Sequence, residues 1–201
     1  MPGVRRAEDM ASDTARGATA AAGGGVAAYL LGYLFTYILA GPSIQESDLN
    51  QIIEAVGEGD VAWKLVGWVF YNAHGVTTTL DIDVPFIGGT DVVNFIAQGN
   101  GLSPVLYVLP PALLLAAGLA GVRVAGTAAL GDALRIGPAV AVGYLPLAVA
   151  GAVLFSVTVR SSVGGPTLVT AIGLAGVVYP LLFGTAGAAL GVVLADRTGG
   201  G

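Results

Sequence analysis

Four long stretches of the chain, Ala18–Ala40, Leu102–Val122, Ile136–Val159 and Pro166–Ala195, contain no Asp, Glu, Lys, Arg or His. A helix crossing the ~30 Å hydrocarbon core of a bilayer needs about 20 apolar residues, because its backbone N–H and C=O groups must all be bonded within the segment. Each stretch reaches that length, so the sequence predicts an integral membrane protein with four transmembrane helices. The 55% hydrophobic and 10% charged residues place the chain in the same class, away from ordinary soluble domains.

With so few charges, their positions are informative. Arg5, Arg6, Arg16, Arg123, Arg135 and Arg197 lie before span one, between spans two and three, or after span four, whereas only Lys64 and Arg160 fall on the other two connections. Cytoplasmic loops concentrate Lys and Arg, so both termini are predicted to be cytoplasmic in a multi-pass protein of the cell membrane. The resulting layout is a cytoplasmic tail 1–17, span one 18–40, an extracellular cap 41–101 and span two 102–122. A cytoplasmic loop 123–135, span three 136–159, an extracellular loop 160–165, span four 166–195 and a cytoplasmic tail 196–201 complete it. Residues 1–17 mix charge with small residues without periodicity and read as disordered. Val26–Ala40 has the look of a signal-peptide core, but Glu8, Asp9 and Asp13 stand among the arginines before it. Ala7-Glu8-Asp9 also follows Arg5-Arg6 where a twin-arginine signal carries apolar residues. The first span therefore reads as uncleaved.

Glu46, Asp48, Glu54, Glu58, Asp60, Asp81, Asp83 and Asp91 all lie in the cap. A net charge of −5, seven Arg against one Lys and abundant Ala, Gly and Val fit a protein adapted to high salt. There the Debye length shrinks to about 3 Å and crowded carboxylates repel one another little. An ordinary acidic ectodomain is the other reading of the same charges. No cysteine is present, so disulfides and thiolate metal sites are excluded.

Within the cap, Ser43-Ile44-Gln45-Glu46 has capping-box form and Leu49, Ile52, Ile53 and Val56 follow at helical spacing, with Gly57 as a stop. Asp60 can cap a second helix, 61–73, that carries Trp63, Trp68, Phe70 and Tyr71 and ends at Gly75. At about 1.5 Å per residue it is too short to cross, and it suits the membrane interface or a re-entrant position. Val76, Thr78, Leu80, Ile82 and Val84 alternate with Thr77, Thr79, Asp81 and Asp83 as in a half-exposed strand. Pro85 and Gly88-Gly89 would turn it, a short helix Asp91–Gln98 would follow, and Gly99-Asn100-Gly101 leads into span two. The fold class predicted is an all-α integral membrane protein, a four-helix transmembrane bundle with a small extracellular α(+β) cap between spans one and two.

Chemistry is sparse. His74 is the only histidine, and HExxH, P-loop and GxSxG patterns are absent. No catalytic residue, cofactor or metal site is predicted, and an enzyme is not expected. Asp81, Asp83, Asp91 and Asn94 lack the dense spacing of a calcium loop and read as solvated acids. The densest candidate interface or ligand site is Trp63, Lys64, Trp68, Tyr71, Asn72 and His74, where a cation, aromatics and a titratable ring share one short helix. An interface anchor with Lys64 snorkelling and His74 capping the helix end is the simpler reading. A candidate intramembrane polar face comprises Tyr29, Tyr33 and Tyr37, at i, i+4, i+8, together with Tyr144. It either lines a path or packs between helices. Tyr107 before Pro110-Pro111, Tyr144 before Pro146 and Tyr179 before Pro180 mark positions where proline would kink a helix. Small residues four apart, Ala117 and Gly121, Gly184 and Ala188, Gly187 and Gly191, suit close helix packing.

The Tyr29-Leu30-Leu31-Gly32-Tyr33 start, the Trp63–His74 block, Asn94-Phe95-Ile96 and Tyr107-Val108-Leu109-Pro110-Pro111 resemble an uncharacterised family of haloarchaeal multi-pass membrane proteins, grouped as a domain of unknown function. That resemblance covers most of the chain and implies a haloarchaeal cell membrane and no established activity, although members are sometimes labelled transporters. Two functions fit these features: a non-catalytic membrane subunit or assembly factor, and a small transporter or channel-like protein for a neutral or anionic solute. The expected partners are the lipid bilayer and a protein partner or second copy, with no nucleic acid.

Overall fold

The computed structural model describes residues 2–55, 59–82, 89–99, 101–127 and 129–199. It is mostly helical with one small sheet. Four helical stretches, Glu8–Gln45, Pro104–Ala125, Leu130–Leu154 and Leu168–Arg197, are long and apolar enough to cross a membrane. In chain order the elements are α1 Pro2–Gln45, α2 Asp48–Ala55, α3 Ala62–Asn72, β1 Thr78–Ile82 and β2 Gly89–Val93. A 3₁₀ turn Pro104–Val108 precedes α4 Leu109–Ala125, α5 Leu130–Ile136 and α6 Ala139–Leu154. Then come β3 Val157–Val159, β4 Ser162–Pro166, α7 Leu168–Thr170, a π-helical stretch Ala171–Val178 and α8 Tyr179–Gly199.

The residues group into two compact units. The first comprises residues up to Tyr29, Pro111–Leu147 and those from Gly176 onward. Glycines bring helix backbones together at several points in it. A Cβ at Gly24 of α1 would stand 2.9 Å from that of Ala117 in α4, and one at Gly25 would run into the Val140 carbonyl of α6. A Cβ at Gly118 of α4 would meet the Gly184 carbonyl of α8, and one at Gly137, just before α6, would lie 2.5 Å from Thr185 Cα. The neighbours thus run α1–α4–α8–α6 and back to α1. In lipid no hydrophobic force drives helices together, so the dispersion gained by bare backbones in contact holds such a ring. Its outer residues are apolar and uncovered, as Val142 and Leu182 illustrate at 69% and 59% exposure. That is the surface a lipid-facing bundle presents and a soluble monomer avoids.

The second unit comprises Leu30–Pro110 and Ala148–Ala175. Its sheet has the order β2-β1-β4-β3, all pairs antiparallel, with Thr78 opposite both Val93 and Pro166 and Val157 opposite Gly164. α3 packs against this sheet. Ser47 starts α2 by accepting the Asn50 N–H at 3.3 Å, and Asp60 Oδ1 accepts that of Ala62 at 3.0 Å ahead of α3. Gly75 turns the chain out of α3 with φ +73°, a left-handed conformation that glycine adopts without strain.

Several expectations are corrected. Residues 2–17 are not a disordered tail but the first turns of α1, where Ala, Arg and Met favour helix, Asp13 pairs with Arg16, and Gly17 approaches Ala125 and Ile136. Span three does not reach Val159: the β-branched run Val157-Thr158-Val159 leaves the helix and pairs with Ser162, Val163 and Gly164 of β4. Residues 160–165 are therefore the turn and second strand of a hairpin, and Arg160 has φ 56° in the turn. The sheet accordingly draws on residues after span three as well as on the segment between spans one and two. Asp91–Gln98 is not a helix, because Thr90, Val92 and Val93 extend along β1 instead. The cap at this corner is Ser47, not Ser43, which remains inside α1. Pro110 and Pro111 stand in the first turn of α4, where a missing N–H costs least, whereas Pro42 lies inside α1, Pro146 inside α6, and Pro180 directly after the π-helical stretch within the continuous helix Leu168–Arg197. The expected stop at Gly57, the turn at Pro85 and Gly88, and Asn100 lie outside the described residues.

Gly118→Ala is expected to lower the thermal midpoint of the detergent-solubilised protein, because its methyl group enters the Gly184 carbonyl and overpacking of this kind costs about 1–3 kcal/mol. Gly23→Ala, with open space around the new methyl, is expected to be neutral or stabilising by up to about 1 kcal/mol. Equal responses from the two variants would contradict the packing described.

Candidate functional site

Sequence singled out α3, and the second unit is built around it. Gly67 faces the ring of Phe155, which occupies the space a Cβ would take. The ring can therefore sit on the α3 backbone. Trp68, one residue on, donates its indole N–H to the Phe155 carbonyl at 2.7 Å, and Gly164 of β4 lies so close to the indole that a Cβ would stand 2.8 Å from Cη2. Lys64 Nζ donates to the Ser156 carbonyl at 3.0 Å and lies 5.6 Å from the Trp63 ring centre. Trp63 and Lys64 are half-buried, whereas Trp68, Tyr71, Asn72 and His74 are buried. The Tyr71 hydroxyl donates to the Ala148 carbonyl.

Asn72 ties three segments together. Its Nδ2 donates to the Val76 carbonyl at 2.9 Å and to Thr78 Oγ1 at 3.3 Å, while its Oδ1 accepts the Phe95 N–H at 2.8 Å. Asn94 continues the network, donating to the Asn72 carbonyl at 3.4 Å and accepting the Tyr107 hydroxyl at 3.1 Å. Buried amides satisfied in this way fix one arrangement of the chain, and leaving a partner unpaired costs about 1–3 kcal/mol.

His74 follows the same pattern. Its Nδ1 lies 2.8 Å from the Phe70 carbonyl, and the ring meets Phe70 edge-on with centroids 4.8 Å apart. Burial lowers its pKa to about 4, against a smaller opposing effect of the Phe70 hydrogen bond. The ring is neutral at pH 7, so Nδ1–H donates to the Phe70 carbonyl of the last helical turn.

The four tyrosines do not form one face. Tyr29 and Tyr144 meet in the first unit, edge to face at 5.2 Å, both buried. Tyr33 stacks on Phe155 at 5.2 Å and donates to the Trp63 carbonyl at 2.9 Å, while Tyr37, 6.3 Å from Tyr33, is 37% exposed. Tyr29 and Tyr144 join α1 to α6, and Tyr33 joins α1 to α3 and to the segment after α6. Asp81 and Asp91 fall on alternate faces of the β1–β2 pair, since Asp81 is opposite Thr90 and Asp91 opposite Leu80, and Asp83 is outside the described residues. Among the described residues no three His, Asp or Glu side chains are placed to hold a metal ion.

Phe155 is the residue that sequence reasoning missed. It contacts Tyr33, Trp63, Tyr71 and Gly67 and lends its carbonyl to Trp68. The available signal was its isolation, as the single aromatic residue between Tyr144 and Tyr179. Trp68 also lines a cavity of about 450 Å³ with Leu65, Phe95 and Leu102, at the corner between α1 and α2.

Because His74 titrates near 4 when folded and at 6.5 when exposed, the unfolded chain holds more protons between those values. Stability contributed by the neutral ring is complete above about pH 7 and declines as pH falls, by about 3 kcal/mol at pH 4. His74→Gln is expected to remove that part of the pH dependence between pH 7 and 4 in thermal unfolding, and an unchanged slope would contradict the assignment.

No curated protein and no solved structure matches the chain. A model of a family of unknown function, DUF7978, matches residues 3–195. The chain belongs to the DUF7978 family.

Proposed function

We propose that the protein is a non-catalytic membrane subunit or assembly factor, which holds an acidic α/β unit for a partner protein. The observation that supports this is the use made of α3. The polar atoms of Trp68, Tyr71 and Asn72 bond to groups of their own unit, Nδ1 of His74 does the same, and Lys64 reaches a backbone carbonyl. A catalytic helix would keep such groups aimed at a shared cavity. The distribution of arginines supports a cell-membrane protein with both termini cytoplasmic. A unit rich in carboxylates, in a chain whose long apolar stretches carry no charge, suits binding to a protein more than it suits turnover. A second copy of the chain is the other protein partner this reading admits.

One observation favours transport of a neutral or anionic solute instead. The eight-residue π-helical stretch Ala171–Val178 interrupts the fourth candidate span, and such widened turns recur at functional sites. It precedes Pro180, whose ring would clash with the carbonyl four residues back in a regular α-helix.

Tagged protein purified from its native membrane in mild detergent at high salt is expected to retain a protein partner at fixed stoichiometry, and proteoliposomes of the protein alone are expected to move no solute. Protein isolated without a partner, with solute flux lost in Tyr144→Phe, would contradict the subunit reading and establish the transport one.

A further inference from the structure

The second unit contains a cavity that the reading above does not use. It lies where α1 meets α2, has a volume of about 450 Å³, and falls within the roughly 300–1,000 Å³ range of small-molecule sites. Its walls divide by chemistry. Ile44, Leu65, Trp68 and Leu102 are buried and Phe95 is half-buried, with the Trp68 and Phe95 rings stacked at 6.2 Å and 21°. Glu46 and Asp48 line the same cavity and are exposed, so they stand at its mouth.

Among the described residues neither carboxylate has an ion-pair partner. Among the described residues the ion pairs are Arg16 with Asp13 and Arg135 with Asp132, all in the first unit. The cations of the second unit are Lys64, which bonds to the Ser156 carbonyl, and Arg160, in the β3–β4 turn. Against them stand Glu46, Asp48, Glu54, Asp60, Asp81 and Asp91, and the charged side chains lining the cavity are the two carboxylates Glu46 and Asp48, which favour cations over anions at its mouth. The indole N–H of Trp68 is bound to the Phe155 carbonyl, which leaves the floor a hydrocarbon and aromatic surface with no donor from that ring.

We infer that this cavity binds a small organic cation, an ammonium compound whose apolar body rests on Leu65, Trp68, Phe95 and Leu102 while Glu46 and Asp48 hold its charge at the mouth. Burial of the apolar body supplies affinity, at about 25 cal/mol per Å² of surface removed from water, and the carboxylates supply selection for positive charge. An anion of the same shape is excluded by the same two groups. The site is independent of the subunit role, since it asks nothing of a protein partner.

The chain has two tryptophans, so Trp63→Phe leaves Trp68 as the sole indole reporter. Full-length Trp63→Phe protein in detergent is titrated with benzyltrimethylammonium and, separately, with its neutral carbon isostere neopentylbenzene, while Trp68 emission is followed. A saturable change with the cation, at least about tenfold weaker for the isostere, is expected from two carboxylates near one charge. Glu46→Gln with Asp48→Asn is expected to reduce cation affinity to that of the isostere while leaving the starting Trp68 spectrum and thermal midpoint in place. No saturable change, or equal responses to the two compounds, would overturn the assignment. The comparison of compounds on the Trp63→Phe protein carries the test even where the double variant fails to fold.

Discussion

The second unit depends on the absence of a side chain at Gly67. Any Cβ there would occupy the position of the Phe155 ring, and without that contact the segment following α6 would not lie on α3. With it, the carbonyls of Phe155 and Ser156 come within reach of the Trp68 indole and the Lys64 ammonium, and Tyr33 stacks on the ring. The chain then leaves as β3 and returns as β4 beside β1. Burying one aromatic ring contributes about 1.5–3 kcal/mol, but its larger effect here is to set the register of everything after it.

The first unit obeys the same rule with backbone in place of rings. Gly24, Gly25, Gly118 and Gly137 each allow one pair of neighbouring helices to touch, and each touches a different pair. Since lipid and leucine are equally apolar, such shape contacts are the force available to hold charge-free helices together. The four apolar stretches carry no charged side chain, so ion pairs between them are not an alternative to these contacts.

The apolar stretches were legible because a helix able to cross a bilayer must meet a length and a composition, and four helices meet both. β1 was legible from its alternation, and α3 from Asp60 and Gly75. What the sequence concealed were pairings between distant segments. Val157-Thr158-Val159 is apolar enough to extend a span, and only its partner strand decides otherwise. Val92 and Val93 were likewise claimed by β1 over a short local helix. Of the candidate residues, Trp63, Lys64, Trp68, Tyr71, Asn72 and His74 do lie in one unit, yet their spacing could not reveal that backbone carbonyls brought from residues 148–156 would be the partners of Lys64, Trp68 and Tyr71. The tyrosine spacing suggested a single face, but Tyr29 and Tyr33 take different neighbours because Tyr144 meets the first and Phe155 the second.

The central claim is that α3 is the interior of a folded unit and not a helix lying in the lipid headgroups. The most direct measurement reconstitutes Trp63→Phe protein in vesicles containing lipids brominated at successive chain depths and records Trp68 emission. Emission that is blue-shifted and unaffected by bromine at every depth is the expected result, since Trp68 is 2% exposed and covered by Phe95, Gly164 and Phe155. Strong quenching by shallow bromines would place Trp68 against lipid and contradict the account.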